Sequence, residues 1–358
     1  MAANNTIPRF ETDLAIPPGA FLREEIEARG LTQVELAVRI GRPPQLVNEI
    51  LQGKKAITAE TAIELESVLG LSARLWTNLE DTYRLALARQ RDAAALEDET
   101  HLASTFPISW LQNAGHIPAG IVGARLVQAL RAFFGVASLT QAFELNALPR
   151  YRATGGPDRR KEGALAAWLR LGDRHFEAHR PTMQYSEQAF KAALTFTRAN
   201  IGDDPATSVP AVIEAWAAAG VCLVLTPEPP NVGVNGCTRW VDDFALVQLN
   251  LRWRWADIFW FTLFHEAHHV LQHRKRKVYS NVIDTDDETA ADRYAADSLV
   301  PSSEWQSYVR KQDFGATSVI DFAVAQSIPP GVVVGRLQHE ARIPHSGLND
   351  LRSRWRWD

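Results

Sequence analysis

Between Asp257 and His273 nearly every position from Ile258 to Phe264 is apolar, the pattern of a helix buried on all sides rather than along one stripe. Ionisable residues then interrupt it as His265-Glu266-Ala267-His268-His269. A second stretch, Asp284 to Pro301, has helical periodicity and stops at its proline. Nearer the N-terminus lie four shorter amphipathic runs: Ile16 to Gly30, Leu31 to Ile40, Pro44 to Gln52 and Thr58 to Gly70. They are separated by Gly30, by Gly41-Arg42-Pro43 and by Gly53-Lys54-Lys55, and Thr32 with Glu35 has the spacing of a capping box. Two short helices around a tight, Gly-containing turn predict a helix-turn-helix, with Trp76, Leu79 and Tyr83 packing on the fourth helix.

The rhythm changes downstream. Arg91 to Thr105 is polar and small, which predicts a linker or fraying helix. Phe106 to about Ile201 reads as helical, with Trp110, Phe133, Phe134, Phe143 and Trp168 as core and Arg150 to Lys161 as a solvated basic loop. A helix from Ser208 to Gly220 leads into a buried strand, Val221 to Leu225, and then a hairpin, Thr238 to Asn250. Helices return beyond Pro301. The expected fold is α+β and mostly helical: an all-α helix-turn-helix domain over 1–95, a helical middle segment over 96–205, and a zincin-like domain over 206–358 with a small sheet and a metal helix.

Composition narrows the setting. A chain of 358 residues exceeds one usual core, and 46% apolar with 22% charged residues describes an ordinary globular protein. No run of about eighteen apolar residues is present, and the N-terminus lacks the form of a signal peptide, so a cytoplasmic location without membrane contact is expected. Two cysteines are too few for a disulfide scaffold. The net charge of −4 offers no global attraction to nucleic acid, so DNA binding requires a local patch.

The chemistry lies in the two C-terminal helices. His265 and His269, four apart, share one helix face and can hold one divalent metal, while Glu266 beside them can take a proton from metal-activated water. Glu288 supplies a third ligand, leaving a fourth position open, and Asp292 one turn on can hold the imidazole N–H of a ligating histidine. Alternatively Thr285 and Glu288 form a capping box, and Asp286 and Asp287 are rival carboxylates. Buried histidines that bind nothing are the bland reading of the motif. His339 is a candidate donor to the transition state, or a satisfied histidine with no role. A Cys237 thiolate in the open zinc position would hold an enzyme latent; a small buried thiol is the alternative. His273 to Lys277 is read as a solvated loop, with contact to nucleic acid or an acidic partner as the alternative, and the basic-aromatic tail Arg352 to Trp357 has no committed role.

Residues Pro17 to Tyr83 resemble the Xre/HigA-type helix-turn-helix domain through Gly30-Leu-Thr-Gln, Ile50-Leu-Gln-Gly-Lys and Ile57-Thr-Ala-Glu-Thr-Ala. The resemblance implies that the third helix enters the major groove, with Gln45 and Asn48 at base edges and Gln33, Lys54 and Lys55 near phosphates. It also implies a homodimer on its operator. Against this stand Pro43 in place of a capping Ser or Thr, Glu49 on the DNA-facing side, and eleven Lys and Arg against thirteen Asp and Glu over residues 1–92.

His265-Glu-Ala-His-His269 with the later Glu288-x-x-x-Asp292 is similar to the gluzincin arrangement, and residues 208–301 resemble the ImmA/IrrE family of zinc metallopeptidases. That resemblance implies Zn2+ and limited cleavage of a repressor or other regulatory protein in a stress, mobile-element or toxin-antitoxin setting. Ala267-His268 departs from the commoner Leu-Gly, and Asp292 stands where Asn is frequent; neither removes a ligand. The competing expectation is an antitoxin-like DNA-binding repressor whose peptidase-like domain senses or binds a partner without proteolysis.

Overall fold

The structure, a computed structural model, describes residues 14–145, 158–202, 204–250, 252, 254–272 and 285–355. Its backbone divides into two compact units, Met1–Thr100 with Val122–Val127, and His101–Ile121 with Gln128–Asp358.

The first unit holds α1 (Pro18–Ala28), α2 (Gln33–Arg39), α3 (Pro44–Leu51), α4 (Ala59–Leu69) and α5 (Ala73–Asp98). Local chemistry sets the boundaries. Gly30 and Gly41 turn the chain at φ of 65° and 70°, and the Thr32–Glu35 capping box opens α2. Pro43 opens α3 without a side-chain cap. Leu22, Ile26, Leu36, Val47, Ile50, Leu65 and Trp76 form the core. A Cβ at Gly19 would lie 2.1 Å from the Ile50 carbonyl oxygen, so α1 passes the end of α3 at a distance only glycine permits. Inside, Glu80 accepts from the Ile57 amide at 3.0 Å and pairs with Arg84 at 2.7 Å, satisfying a buried carboxylate and a turn together.

Over Arg91 to Thr105, expected as a linker or fraying helix, the structure shows helix. α5 continues through Asp98 and a single turn, α6 (Thr100–Ala103), follows. Alanines at 93–95 have the highest helix propensity of any residue, and they outweigh the polar character that suggested a break.

The second unit begins with α7 (Ile108–Asn113), α8 (Gly123–Phe134, which starts in the first unit), α9 (Leu139–Leu145), α10 (Arg159–Ala178), α11 (Glu187–Ala199) and α12 (Pro205–Ala218). A sheet of β1 (Val221–Leu225), β2 (Gly236–Val241) and β3 (Phe244–Leu249) follows, then α13 (Ala256–Gln272), α14 (Thr285–Leu299), α15 (Ser302–Arg310), α16 (Ala316–Ala325) and α17 (Pro330–His339). Central β3 runs parallel to β1 and antiparallel to β2, leaving β2 at an edge. One face packs Val221, Leu223, Ala245 and Val247 against Trp216, Trp260 and Phe264. On the other, α10 is locked by Gln248 Nε2 donating to the Trp168 carbonyl at 2.7 Å and by Arg239 pairing with Asp173 at 2.7 Å. The helical middle segment expected over 96–205 lies, from His101 onward and apart from Val122–Val127, in the same unit as the C-terminal region.

Phe133, Phe134, Phe143 and Trp168 are buried as expected, while Trp110 is half-buried. The stretch Gly123–Leu145 reaches a mean hydropathy of 1.2, but the chain turns within it at Gly135, where φ is 69°. Residues 150–157 of the basic loop, His273 to Lys277, and Arg356 and Trp357 lie outside the described residues.

Candidate functional site

In the first unit, α3 carries Gln45 and Asn48 on its exposed side, opposite buried Val47, Ile50 and Leu51. Gln45 Nε2 donates to Glu49 Oε1 at 3.0 Å, so the carboxylate that argued against DNA is engaged by its neighbour one turn away. Gln52 Nε2 donates to Asn48 Oδ1, also at 3.0 Å. Lys54 and Lys55 are exposed just beyond the helix, and Gln33 is half-buried at the start of α2.

In the second unit, α13 buries Phe259, Trp260, Leu263, Phe264, Ala267 and Val270, which fixes its rotation and turns His265 and His269 toward α14. Their Nε2 atoms lie 3.2 Å apart. Glu288 on α14 brings Oε2 to 3.5 Å from His265 Nε2 and Oε1 to 3.7 Å from His269 Nε2. Zinc takes nitrogen and oxygen ligands at about 2.0–2.1 Å, and a tetrahedron of that size separates neighbouring ligand atoms by about 3.3 Å. The donor set fits such an ion. Asp292 Oδ1 sits 2.9 Å from His265 Nδ1, the position of a carboxylate that orients a ligating ring.

Electrostatics agree with this geometry. Burial works against charging His265, but the hydrogen bond to Glu288 and the charges of Glu266, Glu288 and Asp292 outweigh it and raise its pKa to about 9. The cluster therefore favours positive charge at its centre.

Glu266 faces β2. The Thr238 hydroxyl donates to Glu266 Oε2 at 2.7 Å, and a Cβ at Gly236 would come within 2.6 Å of Glu266 Oε1, so glycine lets the strand pass the carboxylate. His265, Glu266 and Glu288 line a cavity of about 530 Å³ that continues over Ile258, Phe261, Leu299 and Val332 to His339. Sequence reasoning missed Thr238, because only the register of β2 against α13 shows that it faces Glu266.

Two further sequence expectations are resolved. Cys237 packs with Leu165, Trp168, Leu169, Val232 and Val234, and burial pushes its thiol up to about 12. Its neighbour Thr238 takes the Glu266 side of β2, so the latency switch is withdrawn: the thiol is buried and protonated. The C-terminal segment has a structural place. Arg352 pairs with Asp257 at 2.8 Å, the Ala256 amide donates to the Ser353 carbonyl at 3.0 Å, and Trp355 meets Phe259 edge-on at 4.6 Å. These contacts fix the first turn of α13.

Residues 22–76 match the helix-turn-helix family HTH_3. The chain is similar to virulence-associated protein I of Dichelobacter nodosus, 37% identical over 87 residues that cover 24% of this chain and 81% of that protein. It is also similar to the HTH-type transcriptional regulator YddM of Escherichia coli K12, 33% identical over 73 residues covering 20% of this chain and 78% of that one. Among solved structures, the Pseudomonas aeruginosa antitoxin HigA with the higBA promoter is 31% identical over 24% of this chain and 95% of its own, with a TM-score of 0.23. Through residues 22–76 the chain belongs to the helix-turn-helix family.

Proposed function

We propose that the chain is a DNA-binding transcription regulator of the antitoxin-like repressor type, acting in the cytoplasm as a dimer, whose second unit holds a metal and senses or binds a partner. The observation that carries this reading is the family match over 22–76, joined to an α3 whose Gln45 and Asn48 are exposed. A regulator related in sequence supports it. On DNA, Lys54 and Lys55 meet phosphates while Gln45 and Asn48 meet base edges. The test is operator selection followed by binding at several salt concentrations. Lys54→Ala should weaken binding to all sequences and lower the salt slope by about 1, whereas Asn48→Ala should cost about 1–3 kcal/mol and relax preference at one position. Absence of any sequence preference in the wild type would overturn the reading.

A second reading, zinc-dependent cleavage of a regulatory protein, is favoured by one arrangement: Glu266 stands in the same cavity as His265, His269 is one turn on, and Glu288 comes from α14. Zinc held there supplies a Lewis acid for a peptide carbonyl and for water. Glu266 takes the proton of the attacking water and delivers it to the leaving amine, with Thr238 holding the carboxylate in place. His339, on the cavity wall, is the candidate donor to the developing oxyanion. Glu266→Gln separates the two readings. Loss of cleavage with zinc retained supports the enzyme; regulation in cells that is indifferent to Glu266→Gln supports the sensor.

A further inference from the structure

We infer that Asp287 is a positioning residue of the metal centre, one carboxylate shared between His269 and the extra histidine of the motif, His268. The inference rests on His265, His269 and Glu288 binding a metal, and not on proteolysis.

A histidine that ligates through Nε2 carries its proton on Nδ1, and an acceptor there fixes the ring and makes it a better donor. For His265 that acceptor is Asp292. For His269, Nδ1 faces Asp287 Oδ2 at 3.4 Å. Asp287 directly precedes Glu288, so the turn of α14 that delivers the ligand also delivers the carboxylate behind the second ring. Asp286, the other neighbouring carboxylate, is exposed, while Asp287 is half-buried.

The second oxygen of Asp287 explains His268. Oδ1 lies 3.8 Å from His268 Nε2, and the His268 ring is buried against Tyr294 with ring centres 5.3 Å apart. Packed there, the imidazole lies against one oxygen of the carboxylate while His269 faces the other. The acidic residues of α14 thus divide the work. Glu288 reaches the metal position, Asp292 orients His265, and Asp287, with His268 beside its other oxygen, orients His269.

The test uses full-length protein and zinc in competition with a chromogenic chelator at fixed pH, beside the visible spectrum of the Co(II)-loaded protein and the melting temperature of the metal-free form. Asp287→Asn should weaken zinc by about 10–100-fold, comparably to Asp292→Asn, with Asp287→Glu recovering part of the loss. The Co(II) bands should shift while the metal-free melting temperature stays at the wild-type value, since the role is orientation and not folding. His268→Gln should weaken zinc by a smaller factor. Wild-type affinity and spectrum in Asp287→Asn, with Asp292→Asn impaired, overturn the inference but leave the three-ligand site standing. Unchanged affinity in His268→Gln overturns the sharing. A wild type that takes up no zinc overturns the inference and the metal reading together.

Discussion

Cys237 and Thr238 are neighbours on β2, and the period of two along a strand sends one into an apolar cluster and the other to Glu266. Burial raises Cys237 to about 12 and Cys222 to about 11. Both thiols should therefore resist alkylation in the folded protein near pH 8 and react only on denaturation, which a timed reaction with a thiol reagent checks; rapid labelling of Cys237 would contradict its placement. The sign of the pH effect follows. The unfolded chain loses these protons near the ordinary thiol value of about 9 while the folded chain keeps them, so their contribution is fully present below that pH. It is lost as pH rises from there toward 11 and then 12. The cluster of His265, His269 and Glu288 is also a residue-scale feature, but it differs in how it could be seen in advance. His265 and His269 are four apart, and helical periodicity alone places them together. Thr238 is 28 positions from Glu266, and nothing local pairs them.

At the scale of elements, α13 is held at its start by distant parts of the chain. Its first turn is fixed by a segment 95 residues later, where Arg352 makes two hydrogen bonds to Asp257, at 3.2 and 2.8 Å, and another to Gln338. A Cβ at Gly335 would fall 2.3 Å from Asp257 Oδ2, so α17 closes on the same pair. Removing one partner of a buried, hydrogen-bonded ion pair leaves the other uncompensated, which typically costs about 3–5 kcal/mol. Arg352→Ala should lower stability by about that amount in urea unfolding, and an effect below about 0.5 kcal/mol would show that the C-terminal segment does not brace the helix. The elements themselves were largely readable. The capping box at Thr32, the proline after α14 and the hairpin of β2 and β3 are local signals, settled within a few residues. Over 91–98, read as a linker or fraying helix, alanine propensity decides for helix, again a local cause.

At the scale of the whole molecule, the two units have separate cores, one around Trp76 and Leu36, the other around Trp216 and Trp260. A ligand stabilises only the fold that binds it, by about 2.7 kcal/mol at a hundred times its dissociation constant. Zinc should therefore raise, and a chelator lower, the thermal transition of the second unit alone, leaving that of the helix-turn-helix unit in place by calorimetry. Movement of both transitions, or of neither, would contradict the assignment of the metal to the second unit.

What the sequence determined by itself is what short-range physics carries. Helical spacing brought His265 and His269 to one face, caps and breakers set most boundaries, and the helix-turn-helix pattern of residues 22–76 needed only neighbours within a few turns. What only the tertiary structure decided depends on groups far apart in the chain. Thr238 against Glu266, Asp287 against His269 and Arg352 against Asp257 each meet because a buried face fixes how two elements rotate and slide. Packing selects such pairs once the core has closed, and periodicity along one segment holds no information about the partner that will arrive.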